Sequence, residues 1–122
     1  MRSRSLWHSF ECAFSGLLIV VRTQRNAKIH LAIAAAVAVA AAVLRVTPTD
    51  WAILALTIGT VLAAEALNTV AESFVDLLSP EHHEQAGTAK DAAAAGVLIL
   101  SIAAVVVGLA ILGPPLYRAL AP

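Results

Sequence analysis

The apolar positions of this chain fall into two kinds of run. At the N-terminal end they recur three and four apart, at Leu6, Trp7, Phe10, Phe14, Leu17, Leu18 and Val21, which is the stripe of an amphipathic helix. Arg2, Arg4, Arg22, Arg25 and Lys28 surround that stripe, so the pattern predicts a helix over about residues 5–28 lying on a membrane surface. A secretory signal does not fit, because His8 and Glu11 interrupt the front half and no small-residue cleavage pattern follows. Further along, apolar residues become nearly continuous. Residues 29–46, 51–78 and 89–113 each approach or exceed the roughly 20 residues a helix needs to cross the hydrocarbon core. The clearest run, Ala92 to Tyr117, carries no charge at all. The prediction is one all-α integral membrane domain over residues 1–122, with a surface helix and three membrane helices.

The breaks between runs carry stop and start signals. "RVTPTDW" offers Pro48, with Thr49 or Asp50 as N-cap. "SPEHHEQAGTAKD" offers Ser79 before Pro80 as a stop, then Gly87 and a capping box from Thr88 to Asp91. Basic residues cluster ahead of the first span, with Arg45, Lys90 and Arg118 scattered later. That bias predicts an inner-membrane protein with its N-terminus and the Ser79–Asp91 loop in the cytoplasm. Trp51 and Tyr117 then mark outer span ends and Trp7 the inner interface.

Composition agrees. Hydrophobic residues make up 60% of the chain and charged residues 13%, with mean hydropathy +0.84, far from the roughly 25% charged residues of a soluble domain. The net charge of zero argues against a nucleic-acid partner, which would need a basic face. Cys12 is the single cysteine, so it closes no intrachain disulfide, and it reads as a small apolar packing residue.

The second span is the exception to apolarity. In "AAEALNTVAESFVDLLSP", Glu65, Asn68, Glu72 and Asp76 enter an otherwise apolar run. At about 100° per residue Glu65 and Glu72 differ by roughly 20° around the axis and Asp76 by roughly 20° more, so the acids form one stripe on the cytoplasmic half of the helix. A charge at the centre of a span costs about 2.5–3.5 kcal/mol on insertion scales, and such residues usually face protein or water. Asp76, a turn from the loop, is equally accounted for by the interface. Aligned carboxylates suit a divalent cation, since Mg²⁺ takes one or two of them plus substrate phosphates. Lys90 serves either as a phosphate-binding point charge or as a cytoplasmic anchor, and Asp91 as a first-turn charge. His82 and His83, between Glu81 and Glu84, read as an exposed loop or as metal ligands. No P-loop or kinase glycine loop is present.

The stretch "EALNTVAESFVD" followed by "SPEHHEQAGTAKDAAAAGVL" closely resembles the small membrane-embedded prokaryotic diacylglycerol kinases. Upstream, "SFECAFSGL" and "RTQRNAKIH" resemble the branch that includes undecaprenol kinases. The likeness runs from about Ser9 to Leu100. It implies a homotrimer of such four-helix chains, with active sites between subunits, transferring phosphate from ATP to a lipid hydroxyl with Mg²⁺. It implies Glu65 as the base that meets the lipid substrate, Asn68 as its polar neighbour and Glu72 as metal ligand and nucleotide-site acid. Glu81, His82, His83, Lys90 and Asp91 fall at the implied nucleotide site. Gln24 stands where many members carry a metal-contacting glutamate, so a second metal there would meet only a neutral oxygen.

Undecaprenol is the expected acceptor, with diacylglycerol as the alternative. Two other classes compete with a kinase. A small proton-coupled transporter would use Glu65 as an exchanging acid, but the polar stripe reaches only one membrane face. A structural subunit would merely tolerate the acids.

Overall fold

The computed structural model describes residues 5–81 and 83–121. The expectations resting on Arg2, Arg4 and His82 lie outside the described residues. Four helices follow one another: α1 (Leu6–Thr23), α2 (Arg25–Val43), α3 (Pro48–Leu78) and α4 (Glu84–Leu120).

Local chemistry sets each boundary. The Ser5 side chain caps α1 by accepting from the His8 amide at 3.3 Å. The single extended residue Gln24 ends α1 and starts α2, so the N-terminal helix stops five residues before the expected 28. α2 closes in a Schellman motif: the amide of Val46 bonds the Ala41 carbonyl at 3.2 Å and that of Arg45 the Ala42 carbonyl at 3.3 Å, with Arg45 left-handed at φ 53°. The N-cap of α3 is Thr47, not Thr49 or Asp50. Asp50 is instead the reciprocal partner of a capping box, accepting from the Thr47 amide at 3.0 Å, and Pro48 takes the first turn, where its missing N–H costs nothing. Ser79 ends α3 because the following proline disfavours helical backbone there.

α4 departs most from expectation. It starts at Glu84 rather than 89 and continues through Pro114 and Pro115 to Leu120. The Thr88–Asp91 capping box does not form, since Thr88 Oγ1 lies inside the helix and donates to the Glu84 carbonyl at 3.1 Å. Lys90 and Asp91 therefore sit in the second turn, away from the free amides of the helix start. The two prolines remove bonds only near the far end, where little helix remains to be broken.

Helix lengths then fix the architecture. α2, with 19 residues, spans about 28 Å, close to a hydrocarbon core of about 30 Å, whereas the 31 residues of α3 and 37 of α4 reach about 46 and 55 Å. All three are long and apolar enough to cross a membrane. α2 and α3 share the Leu44–Thr47 turn, so the surplus of α3 projects at its other end, into the α3–α4 hairpin. α3 and α4 form the main packing pair. The buried apolar residues are few, namely Ala27, Ala41, Leu54, Val61 and Val97, while large side chains such as Leu98, Ile102, Val106 and Leu109 point outward. Such an inside-out distribution suits lipid as the solvent. The expected packing role of Cys12 is not met: the thiol is exposed, 3.7 Å from His8 Nε2 one turn back.

Candidate functional site

Glu65 is the largest fully buried side chain, 1% exposed, and Asn68 is 7% exposed. Both lie on α3 among residues that are otherwise apolar when buried. Glu65 Oε2 and Asn68 Oδ1 find no hydrogen-bond donor. Buried oxygens left in this state cost free energy unless a ligand, ion or water satisfies them. The Asn68 amide is oriented by its other end, where Nδ2 donates to Glu72 Oε1 at 3.1 Å one turn on. Both orphaned acceptors thus belong to the stripe that periodicity predicts.

Lys90 joins this stripe from α4. Its Nζ donates to Asp76 Oδ1 across the hairpin. Asp76, left open as an interfacial acid in the sequence, is thus the residue that holds the lysine beside the carboxylates. Thr69 and Ser73 bond back to the carbonyls of Glu65 and Thr69 at 2.9 and 2.8 Å, which ties their hydroxyls to the helix itself.

The remaining candidates are more scattered. Asp91 is exposed beside Lys90. Glu81 is exposed and its carbonyl accepts from Ser79 Oγ at 3.1 Å. His83 is the N-cap of α4 and lines a cavity of about 320 Å³ with Phe74, Leu78 and Gln85. Phe74 lies about 200° around α3 from Glu72, so this cavity opens on another flank than the acid stripe. Gln24, half-buried, is the joint between α1 and α2.

Depth follows from a second cavity, of about 450 Å³, between α2, α3 and α4. His30, Val61 and Ser101 all line it, and counting along the antiparallel helices from the α2–α3 and α3–α4 turns puts the three at about one level. Glu65 lies one turn from Val61 toward the hairpin, about 6 Å. At that level α2 is within its first turns, so Glu65 stands where the shortest span begins and Glu72 and Asp76 lie beyond it. The periodicity puts Glu65 on one face with Glu72 but cannot give this level, and it does not bring His30 and Ser101 near it. One signal was available: Leu54, Ile58, Val61 and Glu65 recur at four, three and four residues, so the acid stripe continues an apolar face.

Among the described residues no group of three or more His, Cys, Asp or Glu side chains is arranged to hold a metal ion. The donor set nevertheless fits a hard cation that takes its other ligands from phosphate and water. Glu72 offers a carboxylate, and Asn68, bonded to it through Nδ2, has an Oδ1 without a partner.

Residues 11–112 match the model of the prokaryotic diacylglycerol kinase family. A diacylglycerol kinase of Synechocystis sp. is 46% identical over 109 residues, covering 88% of this chain and 62% of that protein. An undecaprenol kinase of Bacillus subtilis is 38% identical over 108 residues, covering 88% of each chain. The chain thus spans less than two thirds of the length of the first relative and most of the second. The matched range contains Glu65, Asn68, Glu72, Asp76 and Lys90. This membrane protein belongs to the prokaryotic diacylglycerol kinase family.

Proposed function

We propose that the protein is a lipid kinase that transfers the terminal phosphate of ATP to a membrane alcohol, undecaprenol first, at the cytoplasmic face of the inner membrane. The observation that carries this reading is the buried Glu65 carboxylate. Its Oε2 is buried without a donor, which supports a role in meeting the lipid hydroxyl at the hairpin end of the spans.

In this reading Glu65 Oε2 accepts the proton of the lipid hydroxyl as its oxygen attacks the terminal phosphorus. The bond from that phosphorus to the bridging oxygen breaks, and ADP leaves with the electron pair. Asn68 holds Glu72 through its Nδ2 and turns its own carbonyl oxygen toward the site. Glu72 would hold Mg²⁺ with the ATP phosphates, with Gln24 as a neutral donor from the α1–α2 joint. The ion, when bound, neutralises phosphate charge. Lys90, aimed by Asp76, donates to a phosphate oxygen, and Asp91, Glu81 and His83 border the nucleotide. Phosphoryl transfer relies on positioning and charge neutralisation, so this small inventory suffices.

α1 lies on the inner membrane surface with Trp7, Phe10 and Phe14 in the interface, consistent with their exposure. Three copies assemble around shared sites, and the open faces of the spans are consistent with that assembly. Diacylglycerol is the second reading for the acceptor, favoured by the name of the Synechocystis relative. The test supplies purified protein in bilayers with labelled ATP, Mg²⁺ and each alcohol in turn. Labelled undecaprenyl phosphate is the expected product. Transfer to diacylglycerol alone selects the second reading, and transfer to neither overturns the kinase.

A further inference from the structure

The side of α1 opposite its apolar stripe carries a cluster that the acid stripe of α3 does not involve. Leu6, Phe10, Phe14, Leu17 and Val21 share one face of α1. At about 100° per residue, Cys12 and His8 each project roughly 160° from the middle of that face. Cys12 Sγ lies 3.7 Å from His8 Nε2, and His8 Nδ1 lies 3.5 Å from Glu11 Oε2. All three side chains are exposed. Cysteine is among the most buried residue types, so packing does not account for one on the polar side of an amphipathic helix. Its reactivity toward a ligand is the remaining account, and an imidazole nitrogen already stands beside the sulfur.

We infer that His8 and Cys12 form a two-donor site for a thiophilic divalent cation of the Zn²⁺ class, oriented by Glu11 and separate from the oxygen donors of α3. Distance is its main support. A zinc ion bonded to a thiolate at about 2.3 Å and to an imidazole nitrogen at about 2.0 Å, at a tetrahedral angle, holds the two donors about 3.6 Å apart. The observed 3.7 Å is that separation. Residues four apart stack on one side of a helix, so the backbone of α1 already holds both donors together. The Glu11 carboxylate accepts and does not donate, so it favours the proton on Nδ1 and leaves the Nε2 lone pair for the ion. Metal-bound histidines commonly have their second nitrogen held in this way. On binding, the thiol proton of Cys12 leaves to solvent, and the sulfur and Nε2 each give a lone pair to the ion. Water completes the coordination, in keeping with the lack of any group of three such side chains among the described residues. Thiolate and imidazole prefer Zn²⁺ to Mg²⁺, which takes oxygen donors instead. The site does not depend on the lipid-kinase reading.

Cys12 is the single cysteine of the chain, so its thiol reports the site directly. The test uses the full chain in phosphatidylcholine bilayers, titrated with Cd²⁺ and, separately, with Zn²⁺. Cd²⁺ is expected to raise a thiolate-to-metal charge-transfer band that saturates at one ion per chain. Zn²⁺ is expected to slow maleimide modification of Cys12 about tenfold or more, because the bound sulfur is no longer a free nucleophile. His8→Gln removes one donor and should abolish both signals at the same ion concentrations. Glu11→Gln keeps both donors and should weaken binding about tenfold, because the imidazole loses the carboxylate that orients it. Excess Mg²⁺ should leave both signals unchanged. The three side chains are exposed, and unchanged far-UV helicity reports that the variants fold. Protection of Cys12 that persists in His8→Gln, displacement of Cd²⁺ by Mg²⁺, or no charge-transfer band in the wild type overturns the site.

Discussion

Lys90 on α4 is bonded to Asp76 on α3, and this contact carries the Lys90 ammonium onto the face that holds Glu72 and Glu65. Fourteen residues separate the partners, so only the antiparallel packing of the two helices joins them. The side chains are 37% and 67% exposed, which limits the pair's own stabilisation to about 1 kcal/mol or less. Its value lies in aim. Asp76→Asn is expected to leave thermal stability nearly unchanged while raising KM for ATP up to about fivefold, more at low salt than at high. Unchanged KM at low salt would show that Asp76 does not position the lysine.

Glu65→Gln tests the base. The amide keeps size and burial, so folding and nucleotide binding should persist while transfer to the lipid falls by about 10²-fold or more. The measurement is phosphate transfer beside binding of a nonhydrolysable ATP analogue. Near-normal turnover would place the base elsewhere.

The carboxylate of Glu72 accepts from Asn68, which fixes its direction. Glu72→Ala is expected to raise the Mg²⁺ concentration needed for half-maximal rate, with partial rescue by excess Mg²⁺. Gln24→Glu is expected to lower that concentration, because a charged oxygen replaces a neutral one. Titrating activity with Mg²⁺ reads both, and no response to Gln24→Glu moves that residue out of reach of the phosphates.

Arg45 occupies the left-handed position of the Schellman motif, at φ 53°. A side chain costs roughly 1–2 kcal/mol there that glycine avoids. Arg45→Gly should stabilise the protein by about 1 kcal/mol and Arg45→Val should destabilise it. Denaturation in mild detergent checks both, with kinase activity unaffected because the turn lies at the opposite end of α3 from the acid stripe.

Much of this protein is legible from local rules. The three apolar runs, the stop at Ser79–Pro80 and the single face of Glu65, Asn68 and Glu72 all follow from periodicity and backbone chemistry within one helix. Errors cluster where local signals compete. Thr88 and Asp91 look like a capping box, yet Glu84 already continues the helix and takes the Thr88 hydroxyl. Pro114 and Pro115 look like a stop, yet they fall so near the end that α4 passes through them.

The sequence by itself determined how many helices there are and in what order, which of them are apolar enough for a bilayer and which acids share a face, because each depends on spacing along one segment. The tertiary structure alone decided three things: the level of Glu65 at the start of the shortest span, the partner of Lys90, and the cavity on the face that the acid stripe continues. All three depend on how α2 and α4 are set beside α3. That offset is fixed by side-chain packing across the helices, and no spacing within a single helix encodes it.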